Sequence, residues 1–394
     1  MTELAQPNIG QPPLSRTATL VAAIATITLV GIGLSLSVAL LAIRMEEAGY
    51  SSAAIGLSTS VSGLANVIGA PVVPRLARMF GVQGLLYIAI GVGAITLLTF
   101  SATPIGLWIA LRFVFGAALA ILFVMSEFWI VSASPAQRRG LITGIYATCL
   151  ALGFAAGPAI LGLTGTSGSL PFWTGAALML LGLVPVAVAG RSTPAVEKSA
   201  KLSLLVLIRT VPLATAAAFV FGVFETASMS LFPVYALRLD LSAGVGAALI
   251  SCAALGNVVF QIPLGLAGDR LSRRVVLLFC GLSGVLGALG MMLVGSNVVG
   301  LCLVVFLWGG LTAGLYTVGL ALIGDRFKGA ELAAASGAVV MLYSVGLVVG
   351  PPVLGQLMDW RLSGLPLGLL TLFALYVVLA SYKLLKTRWS GRET

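Results

Sequence analysis

The chain has 394 residues, of which 22 are Lys or Arg and 12 are Asp or Glu, giving a formal net charge of +10. Only 9% of its residues are charged and 59% are hydrophobic, whereas an average soluble domain is roughly 25% charged, and a soluble fold has too little interior to hide that much apolar side chain. This excludes a soluble enzyme and a disordered chain, and it also excludes a nucleic-acid binder, because the basic residues fall in short runs between apolar stretches rather than on one exposed face.

Along the chain, residues 1–16 lack a basic region leading to a small-residue cleavage site, so they read as a short tail and not a cleaved signal. Twelve apolar stretches follow, each near the roughly 20 residues a helix needs to cross a bilayer. They are predicted at 17–43, 52–74, 82–102, 104–132, 139–164, 171–190, 210–237, 243–268, 275–295, 298–324, 331–358 and 364–385. The runs are continuous, without the polar and apolar alternation of a membrane β-barrel. The fold class is therefore all-α integral membrane, with twelve transmembrane helices. Cys149, Cys252, Cys280 and Cys302 all lie in apolar text, so no disulfide is expected. The chain has no His, which removes His-based relays, His metal ligands and most catalytic triads.

With both termini on one side, that side collects 18 of the 22 basic residues. The opposite side holds Arg44, Arg238 and Arg361, and Arg112 lies inside span 4. Such a bias places the termini in the cytoplasm. The longest polar connection, 191–209, divides two bundles at 17–190 and 210–385, with a tail at 386–394.

The two halves repeat. Gly153-Phe-Ala-Ala-Gly157-Pro158-Ala-Ile-Leu-Gly162 recurs 193 residues later as Gly346-Leu-Val-Val-Gly350-Pro351-Pro-Val-Leu-Gly355. Gly116 and Gly144 have partners at the same offset in Gly309 and Gly337, and Pro74-Arg75-Leu-Ala-Arg78 matches Asp269-Arg270-Leu-Ser-Arg273 at 195. Six spans, a linker and six similar spans is a transporter arrangement.

These motifs resemble the major facilitator superfamily of transporters over essentially the whole chain. Gly265-Leu-Ala-Gly-Asp269-Arg270-Leu-Ser-Arg273-Arg274 is similar to the superfamily's loop signature, although Pro74 stands where the first-half copy would carry Asp. Arg112-Phe-Val-Phe-Gly116 resembles its embedded arginine motif, and Gly153 to Gly162 resembles the Gly-Pro motif of proton-coupled antiporters. Ser126-Glu127-Phe-Trp129, Phe260-Gln261-Ile-Pro263-Leu-Gly265 and Leu315 to Arg326 look like the bacterial YcaD-like branch. The resemblance implies two pseudo-symmetric six-helix bundles around a cavity lined by spans 1, 4, 7 and 10, and alternating access by rocking of the halves.

Three ionisable side chains sit well inside spans: Arg112, Glu127 and Glu225. A charge at the bilayer centre is costly, so each is a functional candidate. Arg112 lies roughly 12 Å and Glu225 roughly 18 Å below the outer surface at 1.5 Å per residue, so the two could meet across the cavity. A carboxyl taken out of water tends to hold its proton, and a neighbouring guanidinium opposes this. Substrate competing for Arg112 would then drive protonation of Glu225, although a permanent ion pair is the plainer alternative. Thr226, Ser228, Tyr146, Trp308, Thr312 and Tyr316 are candidate cavity-lining residues. Glu127 falls near the level of Arg75 and Arg78, and with Asp269, Arg270 and Arg273 it is expected to form a cytoplasmic gate. Asn66, Asn257 and Gln261 read as interhelical hydrogen-bond glue. Gly153, Gly157, Pro158, Gly346, Gly350 and Pro351 read as packing and bending positions.

The sequence thus reads as a secondary transporter of a small organic solute in the bacterial inner membrane. It is expected to be monomeric and proton-coupled, with no cofactor and no nucleic-acid partner, and the Gly-Pro motif leans towards export by antiport. Import of an organic anion held by Arg112 is the alternative, as is translocation of a lipid or amphiphile. A membrane enzyme would need a catalytic polar cluster, and the sequence offers none.

Overall fold

The structure is a computed structural model that describes residues 13–134, 139–189, 208–327 and 329–390. The linker at 191–207, Arg138, Lys328 and Arg392 lie outside the described residues.

Twelve helical spans are long and apolar enough to cross a membrane: Ala18–Glu47, Ser52–Gly69, Val82–Ala102, Ile105–Ile130, Ile145–Thr164, Leu170–Val188, Pro212–Arg238, Ala243–Arg270, Arg273–Val294, Val298–Arg326, Gly337–Trp360 and Gly364–Lys386. They are numbered 1 to 12 below. The near end of the bundle is where the described chain starts and finishes, and the far end is opposite.

Local chemistry sets the helix ends. Ser51, Ser242 and Asn297 cap spans 2, 8 and 10, their side-chain oxygens accepting backbone N–H groups of the first turn. Span 2 stops at Gly69, ahead of Pro71, and the chain resumes as a separate near-end helix, Val73–Phe80. Prediction had run span 2 on to residue 74. A proline lacks the N–H that would continue the ladder, which explains the break. Gly81, at φ 69°, turns the chain from this short helix into span 3. The short helix buries Val73 and Ala77 and exposes Arg75 and Arg78.

The pairing of helices repeats between halves. Span 1 packs along span 5, as span 7 packs along span 11, and spans 2 and 4 pair as spans 8 and 10 do. Between halves, span 2 lies on span 11 and span 8 lies on span 5. Small residues permit the close approaches. A Cβ on Gly153 would stand 2.6 Å from the Thr28 carbonyl oxygen, and one on Gly346 would stand 2.8 Å from the Val223 nitrogen. Gly157 and Gly350 face spans 1 and 7 in the same way. The helices run on through Pro158 and Pro351.

The far end is closed by contacts between the halves. The Ser60 hydroxyl donates to the Val348 carbonyl at 2.6 Å, and Ser251 donates to the Ala155 carbonyl at 2.8 Å. Beyond them Arg238 of span 7 pairs with Glu46 of span 1 at 2.8 Å and with Asp359 of span 11 at 3.0 Å. The Asp359 carboxylate also accepts the Ser52 and Ala53 N–H groups, both at 2.8 Å. An anion at a helix N-terminus is favourable, because the first N–H groups lack intrahelical partners. Four spans from both halves meet in this one latch.

Candidate functional site

Span 7 is almost wholly buried, and Glu225 is the acid within it. Helical spacing puts Phe221 one turn before Glu225 and Ser228 one turn after, on one face. That face meets Tyr343 of span 11, whose hydroxyl donates to Glu225 Oε2. The Tyr343 ring stacks on Phe221 with centroids 6.2 Å apart and lies 5.2 Å from Tyr316 of span 10. Phe221 and Tyr316 complete the triangle at 6.0 Å.

The charge of Glu127, from span 4 in the other half, reaches Tyr146, Tyr316 and Tyr343. Glu127 is exposed within the bundle, whereas the Tyr146 hydroxyl is buried with no hydrogen-bond partner among the described residues. Beside Glu225 a cavity of about 40 Å³ opens between spans 5, 7, 8 and 10, lined by Ser228, Asn257, Phe154, Met229 and Gly309 among others. That volume holds one or a few waters. Ser228 spends its hydroxyl hydrogen on the Glu225 carbonyl at 2.8 Å, and Thr226 is half-buried one residue further along span 7 from Glu225.

Several expected site residues are placed elsewhere. Arg112 does not meet Glu225. The regular helix of span 4 starts at Trp108, not 104, so Arg112 lies roughly 6 Å below its end, far above the level of Glu225. Its side chain is 1% exposed, and Nε and Nη2 find no acceptor among the described residues. Its carbonyl accepts the Ser62 hydroxyl at 3.0 Å, which ties it to span 2. Trp308 does not line the cavity either. It packs behind span 7 with Phe224 at 5.0 Å, Phe232 at 5.9 Å and Phe373 at 6.2 Å. Thr312 is fully buried and donates back to the Trp308 carbonyl at 2.7 Å. Trp129 is likewise core.

At the near end Arg273 pairs with Asp325, donates to the Ala321 carbonyl at 2.5 Å and stands 4.0 Å from Asp269. Asp269 and Arg270 are exposed. Glu127 belongs with the tyrosines; among the described residues no ion pair joins it to Arg75 or Arg78. The larger cavity, about 770 Å³, opens at this end of the second half, lined by Asp269, Asp325 and basic residues including Arg209, Arg273 and Arg326. It lies away from Glu225. Sequence reasoning missed Tyr343, Glu46 and Asp359. Tyr343 stands one turn before the repeated Gly346, a position that could have drawn attention to it.

A family model described as Major Facilitator Superfamily matches residues 21–256 and 214–392. The chain belongs to the Major Facilitator Superfamily. It is a multi-pass membrane transporter and not an enzyme. It is similar to the uncharacterised MFS-type transporter YfkF of Bacillus subtilis strain 168, with 28% identity over 90% of this chain and 92% of that one. It is also similar to the uncharacterised MFS-type transporter YcaD of Salmonella dublin, at 24% identity over 80% and 82%. Among solved structures, the nucleoside transporter NupG aligns with a TM-score of 0.74 at 15% identity, over 94% of this chain and 98% of that one. A bacterial homologue of the human lysosomal transporter Spinster, inward-facing and occupied, aligns with a TM-score of 0.75 at 15% identity, over 96% and 98%. At such identity the likeness speaks to the fold alone.

Proposed function

We propose that this chain is a proton-coupled secondary transporter of the bacterial inner membrane, exporting a small organic solute by exchange through alternating access. The observation that carries the reading is the setting of Glu225. It is a carboxyl within a buried span whose hydrogen-bonding partner is a neutral tyrosine and whose neighbour is a small cavity. A carboxyl used only as structural glue is normally matched to a cation. One left with a neutral donor can gain and lose a proton without breaking an ion pair. The titratable groups beside it are Tyr343 from span 11 and, next to that ring, Tyr316 from span 10, while span 8 offers the neutral Asn257.

The excess of basic residues on the side of the termini supports a cytoplasmic near end. On that orientation the closed far end faces outward, so this conformation is closed to the outside. The latch of Arg238, Glu46 and Asp359 then serves as the outer gate, and the Arg273 cluster belongs to the inner one. Import of an organic anion has less support, because Arg112 is enclosed against span 2 and apart from the cavity. The lean to export rests on the Gly-Pro motif of span 5, and its repeat in span 11 serves packing equally well.

The test uses proteoliposomes and a solute found by thermal-shift screening, where bound ligand raises apparent stability. Wild-type protein is expected to accumulate solute under an imposed pH gradient. Glu225→Gln is expected to lose that accumulation while keeping solute–solute counterflow. Gradient-driven accumulation by Glu225→Gln at the wild-type rate would overturn the assignment.

A further inference from the structure

We infer that the central site takes an organic cation, an amine or onium group carried on an apolar body. The inference rests on the transport reading above and adds its substrate class. Glu225 from span 7 is held by Tyr343, and Glu127 from span 4, in the other half, lies within electrostatic reach of the same Tyr343 and Tyr316. The ion pairs among the described residues lie elsewhere, at the far-end latch and around Arg273. Arg112, the basic residue of span 4, is enclosed against span 2. The site is therefore acidic without a resident counter-charge.

The rings beside Glu225 match the same ligand. Phe221, Tyr316 and Tyr343 form a triangle of rings with centroids 5.2 to 6.2 Å apart. An aromatic face attracts a cation within about 6 Å of its centroid, most strongly where water is excluded. Tyr146 adds a buried hydroxyl that no described residue satisfies, and Phe154 and Met229 supply apolar surface beside Glu225. An anion would meet two carboxylates and the negative faces of three rings, and a neutral solute would leave the charge uncompensated. A cation that spans both halves also pulls them together, which gives it a differential grip on conformations that bring Glu127 and Glu225 closer.

The experiment measures binding to the purified full chain by calorimetry, which needs no gradient. The probes are tetraphenylphosphonium and trimethylphenylammonium, with naphthalenesulfonate as the anionic control. Saturable binding of at least one cation is expected, and none of the anion. Glu127→Gln and Tyr316→Ala should each weaken it about tenfold or more while Tyr316→Phe, which keeps the ring, stays close to wild type. If Glu127→Gln lowers the melting temperature, Glu127→Asp is measured as well and should retain binding. The inference is overturned if neither cation binds saturably, if the anion binds better, or if Glu127→Gln and Tyr316→Ala both leave affinity unchanged. The two readings fail separately. Absence of cation binding with Glu225-dependent uptake of another solute removes this inference and leaves the coupling reading. Glu127-dependent cation binding with no gradient-driven flux does the reverse.

Discussion

At the scale of single residues, the Glu225–Tyr343 bond is the contact on which the site depends. A hydrogen bond to a charged group contributes about 1.5–3 kcal/mol. Tyr343→Phe keeps the ring that stacks on Phe221 and removes only the donor. The expected outcome is a fall of about tenfold or more in transport kcat/KM, with the melting temperature lowered by no more than the few degrees that one such hydrogen bond supplies. Wild-type kinetics in Tyr343→Phe would show that the hydroxyl is incidental. Sequence reasoning reached Glu225, because a lone acid in apolar text is conspicuous. It could not reach the partner, which lies 118 residues away in another span. Trp308 shows the converse. Its indole is fully buried among Phe224, Phe232 and Phe373, yet in apolar text an aromatic that packs a core reads like one that lines a cavity. Arg112 was misplaced for a smaller reason: Pro104 and the 3-10 turn Ile105–Leu107 delay the start of the helix.

At the scale of elements, the far-end latch is strong in number and weak in each part. The Arg238, Glu46 and Asp359 side chains are 25%, 16% and 19% exposed, and partly hydrated ion pairs contribute about 0–1 kcal/mol each. That suits the proposed outer gate, which would have to open at ordinary temperatures. Arg238→Ala removes both ion pairs and the hydrogen bond to the Met358 carbonyl. It should shift the balance towards far-end-open forms by about 1–2 kcal/mol. Spin labels at Tyr50 and Ser242, in a background lacking the four free cysteines, would report longer distances in the variant. An unchanged distance distribution would mean that the contacts left in place, span 2 on span 11 with Asp359 on the Ser52 and Ala53 N–H groups and span 8 on span 5, keep the end shut without Arg238. The helices themselves were legible, because the bilayer demands long apolar runs. The break at Gly69 was not, since hydropathy stays high across Ala70-Pro71-Val72-Val73 while the backbone ladder ends.

At the scale of the whole molecule, twelve spans, the repeat and the bias of basic residues were legible together. The spans follow from hydrocarbon thickness, and the symmetry from a repeated set of small-residue contacts. Conformation was not legible, because the closed far end is set by contacts between the halves, such as Ser60 with Val348, that hydropathy does not encode. In the proposed mechanism Glu225 exchanges a proton when solute moves. The most direct measurement counts protons released into weakly buffered solution as the screened solute saturates the purified protein, compared with the Glu225→Gln variant. Proton release by the wild type and none from the variant is the expected result. Equal release from both, or none from the wild type despite saturable binding, would contradict it.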